Sequence, residues 1–131
     1  MKLLFRGKRK DNGEWVYGYL YRLSERLNPF IMLVNSNGES HEVISKTVGQ
    51  FSGLTDKNGK EIFENDIIVD DEEYSTFENT RKGIVKFYHG EFTSFYGQDL
   101  LGCDCYDSLY SICKERYIIG NIYDNPELEE E

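Results

Sequence analysis

The chain has 131 residues, 15 basic and 24 acidic side chains, and a formal net charge of −9. That charge argues against general affinity for nucleic acid, because binding a phosphate backbone needs cations that displace counterions. Its 8 Phe, 10 Tyr and 1 Trp bury large areas from few side chains, so one ordered domain is expected, with possible lobes over 1–50 and 51–128.

The N-terminal stretch is basic, with Lys2, Arg6, Lys8, Arg9 and Lys10 among the first ten residues and no acid. The other end is acidic, and residues 129–131 read as a solvated tail. Cys103, Cys105 and Cys113 make an odd cysteine count. With no apolar leader and no run near the ~18 residues of a membrane span, a soluble protein of a reducing cytoplasm is expected.

Taken in order, residues 2–9 and 14–22 read as a hairpin closed by Asn12-Gly13, a pair that suits a two-residue loop. Within it, Trp15, Tyr17, Tyr19 and Tyr21 alternate with smaller residues, so both faces have something to pack. Gly7 and Gly18 inside strand patterns mark bulges or close backbone approach. Residues 30–34 read as a buried strand, Asn37-Gly38 as a turn and 41–44 as its return. Residues 47–51 lead into the stretch around a third turn, Asn58-Gly59, and strands follow at 61–63 and 67–69. Residues 70–81 lack a period and are expected to form a mobile loop or the wide tip of a hairpin. Strands are predicted at 82–88 and 91–96 around His89-Gly90, with irregular chain over 97–107. Leu109, Ile112 and Cys113 share one helical face, which predicts a short helix near 107–115 capped by Asp107. A strand over 116–123 closes the chain. Many short strands and one short helix point to a mainly β fold, a small barrel or roll.

Three stretches then carry a family resemblance. Residues 48–68, running from Val48-Gly49-Gln50-Phe51 through Asn58-Gly59 to Asp66-Ile67-Ile68, resemble the signature of the YopX family of phage and prophage proteins. Phe5-Arg6-Gly7-Lys8-Arg9 with Trp15-Val16-Tyr17-Gly18 is similar to the family's opening, and residues 119–128 are similar to its close. At Asn65 the family pattern leads one to expect Gly, and Asn tolerates the left-handed backbone such a turn needs. The resemblance implies an SH3-like barrel in the C-terminal half and a bacterial or phage cytoplasmic setting. It brings no catalytic residues.

Candidate chemistry is sparse. Cys103-Asp104-Cys105 with Cys113 invites a zinc reading, yet one residue separates the pair where two to four is usual. A fourth ligand would have to be His41, His89 or a distant carboxylate, so no metal or cofactor is expected. Glu61, Glu64 and Asp66 resemble a carboxylate cluster suited to acid–base or divalent-metal work. An acid at a turn-to-strand corner more commonly bonds backbone N–H groups, so Asp66 is given that structural role, and Asp66→Ala is expected to cost ~1 kcal/mol. No nucleophile elbow or phosphate loop is present, and no enzyme activity is expected.

The candidate binding patch is Arg6, Lys8, Arg9, Lys10, Trp15 and Tyr17. Cations interleaved with aromatics are what single-stranded nucleic acid binding requires. The same aromatics suit a small β core, and the core reading is preferred. The expected function is a non-catalytic protein-interaction or assembly module, with a protein partner or self-association and no membrane. Nucleic-acid binding through the N-terminal strands is the alternative.

Overall fold

The computed structural model describes residues 4–34, 36–70 and 82–129. They are mostly β structure and form two compact units, Met1–Phe51 and Ser52–Glu131. Among the described residues no helix is long and apolar enough to cross a membrane.

In the first unit, β1 (Phe5–Lys8), β2 (Trp15–Tyr21), β3 (Phe30–Leu33) and β4 (Ser40–Glu42) form an antiparallel meander. The start of β5 (Gly49–Thr55) pairs on the other side of β1, giving the order β4-β3-β2-β1-β5. Strand residues alternate faces, so Val16, Ile31 and Val43 gather on one side. Phe5, Leu33 and Val48 pack against them. Gly18 sits where a Cβ would lie 2.0 Å from the Met32 carbonyl oxygen, so no other residue fits without moving backbone. Thr47 pins the unit's last turn: its hydroxyl donates to the Ile44 carbonyl at 2.6 Å and accepts the Lys8 N–H at 2.9 Å.

Two expectations change here. The loop after β1 is longer than two residues, because Arg9 N–H bonds the Glu14 carbonyl and only Gly13 takes a positive φ, of 74°. The strand around Phe30 is not buried throughout. Ile31 is buried, but Met32 and Val34 are exposed, since this strand has one face on the core and one turned outward.

In the second unit, β6 (Glu61–Phe63) lies beside β5. β7 (Asp66–Asp70), β8 (Lys82–Tyr88), β9 (Glu91–Gln98), β10 (Asp104–Ser108) and β11 (Arg116–Asn121) form an antiparallel sheet ordered β10-β9-β8-β7-β11. Helix α1 (Leu109–Ile112) and a 3₁₀ turn, Cys113–Glu115, carry the chain from β10 to β11. Ile62, Ile68, Val85, Leu109 and Cys113 form the core, with Leu54, Phe92, Ile112 and Ile118 against it. The loop expected over 70–81 lies outside the described residues, except Asp70, which ends β7 and meets Arg116 Nε at 2.6 Å.

The expected irregular stretch over 97–107 is corrected. β9 runs to Gln98, and β10 occupies Asp104–Ser108 as an edge strand. Its residues are polar because an edge strand needs little apolar area, which hides it from pattern reading. Asp107 belongs to that strand and accepts a 2.7 Å hydrogen bond from the Tyr96 hydroxyl, so it does not cap α1, which has no side-chain cap. The two-residue hairpin loop sits at His89-Gly90, where φ is 51° and 84°, as a turn matched to strand twist requires.

Two buried carboxylates order the corners of this unit. Asp66 Oδ2 accepts the Phe63 N–H at 2.8 Å, the backbone role expected for it. Asn65, at φ 72°, makes the left-handed corner, its N–H reaching the Val85 carbonyl and its own carbonyl taking the Ile122 N–H. Asp56 does more and has no counterpart in the sequence reading. Only 2% exposed, it accepts the Asn58 and Lys60 N–H groups on Oδ1 at 2.9 Å each and the Ile118 N–H on Oδ2 at 3.0 Å.

Candidate interaction face

The site is built on the side of the first unit's sheet that faces away from Val16, Ile31 and Val43. Register fixes its membership. Arg6 stands opposite Tyr17, and Lys8 opposite Trp15. Tyr19 stands opposite Met32, and Tyr21 opposite Phe30. Because paired residues of an antiparallel ladder share a face, the aromatic positions of β2 all lie on this side. Tyr17 and Tyr19 are exposed there, which corrects the preferred core reading for those two, while Trp15 and Tyr21 are half-buried. The core is supplied by Val16 of β2, by Ile31 and Leu33 of β3 and by Val43 after β4. Alternating sequence patterns cannot say which of two apolar faces turns inward.

Within the face, exposure peaks at Tyr17 and Tyr19 and falls off toward Trp15 and Tyr21. Arg6 is 6% exposed, and its guanidinium carbon lies 4.6 Å from the centre of the Trp15 ring. Lys8 Nζ approaches the same ring at 5.5 Å. Both distances fall within cation–π range. Tyr17 and Tyr19 are 44% and 54% exposed. Tyr21 and Phe30 stack with centroids 5.5 Å apart and planes 15° from parallel. Met32 lies exposed beside Tyr19, and Ser40 and Glu42 of β4 supply a polar margin.

Of the six patch residues expected from sequence, Arg9 lies off the aromatic face, bridged to Val43, and Lys10 stands at the Glu42 margin. Arg9 forks onto Asp11, with Nε–Oδ1 at 2.9 Å and Nη2–Oδ2 at 2.7 Å. That pair holds the Asp11 carboxyl below its ordinary range and raises the Arg9 guanidinium above its own. Lys10 Nζ lies 3.5 Å from Glu42, whose carboxyl is lowered first by the Asn28 amide it accepts and then by Lys10. The face instead gains Tyr19, Met32 and Phe30. Tyr19 was legible from its alternation with Tyr17, whereas Met32 was hidden inside an apolar run.

The other candidate groups do not converge. Cys113 is buried in the second core, and Cys103 and Cys105 lie at the β9–β10 hairpin. Among the described residues no three His, Cys, Asp or Glu side chains are grouped to hold a metal ion. Asp66 is buried against backbone, while Glu61 is exposed.

A family model described as YopX protein matches residues 4–130. A crystal structure of protein EF1440 from Enterococcus faecalis is 27% identical, covers 99% of each chain and superposes with a TM-score of 0.62. No curated protein matches this chain. Both matches run through the two units, including the Asp56 turn, the Asn65-Asp66 corner and the closing strand, and the chain belongs to the YopX protein family.

Proposed function

We propose that this chain is a non-catalytic binding module that engages a protein partner through the Tyr17–Tyr19–Met32 face of its first unit. One observation carries the reading: large amphipathic side chains stand in solvent on a rigid sheet while the cations around them are already engaged. Tyr, Trp and Met are enriched in the cores of protein interfaces, where rigid aromatic anchors bury much area at low entropic cost. Arg9 and Lys10 are held by acids, and Arg6 and Lys8 lie against Trp15, which leaves this net-acidic chain poorly equipped to neutralise phosphates. We place the module in the cytoplasm of a bacterial host, in phage or prophage biology, and read the second unit as SH3-like.

The second reading, single-stranded nucleic acid binding, is favoured by the Arg6–Trp15 stack beside Tyr17. The two are separated by a photo-crosslinking residue placed at Tyr19 in host cells, with the same residue at Lys60 as control. Protein adducts specific to the Tyr19 position are expected. Anisotropy with labelled single-stranded DNA and RNA at low salt forms the other arm. Tight, salt-sensitive binding that disappears in Tyr17→Ser/Tyr19→Ser would replace the first reading with the second.

A further inference from the structure

We propose that a pocket on the second unit's five-stranded sheet receives an apolar side chain from an acidic peptide segment of a partner protein. It is independent of the aromatic face of the first unit. Its floor is one row of register partners: Ile67 on β7 opposite Ile84 on β8, and Ile84 opposite Phe95 on β9. Their neighbours Ile68 and Val85 point to the opposite face, into the core. Lys82 and Lys86 flank Ile84 at two-residue spacing on β8, so both rise on the pocket side. Leu128, carried by the 3₁₀ turn Pro126–Glu129, makes the facing wall.

Size and charge select the ligand. The pocket holds about 250 Å³. Small-molecule and cofactor sites usually hold ~300–1,000 Å³, so this space suits one large apolar side chain. Lys86 places a cation at its rim in a chain of net charge −9. Lys86 Nζ rests 5.0 Å from the centre of the Phe95 ring, and among the described residues no carboxylate pairs with it. An ammonium poised over an aromatic floor attracts a carboxylate arriving at the rim, while the floor accepts the apolar group beside it. The chain itself illustrates the combination, since Leu128 stands between Glu127 and Glu129 in sequence.

The test is fluorescence anisotropy of a labelled synthetic peptide, Glu-Glu-Leu-Glu-Glu, titrated with the full chain. Saturable binding that weakens as salt is added is expected. Lys86→Glu should weaken it by about tenfold or more, as reversing a rim charge does, and Lys86→Gln by less. Lys60→Glu makes the same charge change on a remote turn and should leave binding unchanged. A peptide with Ala in place of Leu should bind about tenfold more weakly to the wild-type chain, an outcome that does not depend on any variant folding. Absence of saturable binding, equal loss in Lys60→Glu, or indifference to the leucine would each overturn the proposal.

Discussion

In the first unit the sheet is drawn together at a missing side chain: Gly18 admits the Met32 carbonyl to where a Cβ would stand 2.0 Å away. In the second unit the corresponding work falls to buried charge. Asp56 gathers three backbone N–H groups, two from its own turn and one from Ile118, 62 residues on. The two solutions differ in reach. A glycine lets two neighbouring strands touch and imposes no polar requirement, so the outer face of that sheet is free to carry tyrosines. A buried carboxylate must be satisfied completely, and satisfying it binds a turn to a strand distant in sequence. The second unit is therefore expected to lose more from one substitution.

Asp56→Ala gives the largest expected effect. Three N–H groups lose a charged acceptor together, so about 3 kcal/mol of unfolding free energy should disappear in a urea titration. Asp56→Asn keeps one acceptor oxygen and should recover part of it. A loss below about 1 kcal/mol would mean that water replaces the carboxylate, and the contrast between the units would fail.

Gly18→Ala comes next. The obstacle is a backbone carbonyl, which has no rotamer through which to escape, so a cost of about 2–3 kcal/mol is expected. Asp66→Ala should follow at about 2 kcal/mol, more than the sequence alone suggests, because the Phe63 N–H it leaves behind is buried. If Gly18→Ala costs more than Asp56→Ala, the ranking of the two devices is reversed.

What was legible follows the same division. Local devices could be read: Asn65 at a left-handed corner, Asp66 on a nearby N–H, Gly18 as a close approach. Asp56 carries a local signal too, an Asx residue three positions before a turn glycine, but its bond to Ile118 exists only after folding. The aromatic row of β2 was visible as a row, and its face was not. Alternation fixes which residues go together, and burial of the other row, Val16 with Ile31 and Val43, decides which side is inside. Arg9 and Lys10 looked like part of the patch by proximity in sequence, yet the turn places them on Asp11 and Glu42.

The smallest expected effects lie in the phenol–carboxylate pairs of β8, β9 and β10, where the second unit uses charge closer to its surface. Tyr96 is the extra residue of a bulge in β9, which sends its hydroxyl to Asp107. Burial, aided by that bond and opposed by the Ser94 hydroxyl, holds its phenol above the ordinary 10.0. A raised folded value favours the protonated form. The stability it contributes is present below pH 10.0 and is lost as pH rises through the elevated value. Melting temperatures across the alkaline limb should fall less steeply in Tyr96→Phe.

Tyr88 and Asp104 run the opposite way. The Tyr88 hydroxyl donates to Asp104, and this bond, with a second from Gln98, holds the carboxyl below its ordinary 3.8. A lowered folded value favours the ionised form, so its contribution is complete above the ordinary 3.8 and is lost as pH falls through the lowered folded value. Asp104 is exposed and Tyr88 half-buried, and solvent screening keeps the effect small. The sensitive readout is the Asp104 titration itself, followed by carboxyl NMR. Tyr88→Phe removes the larger of the two bonds and should move that titration upward while leaving the Asp56 and Asp66 corners unchanged. An unmoved Asp104 would mean that Gln98 and solvent set its acidity, and that surface charge in this unit orders nothing that its buried charge does not already hold.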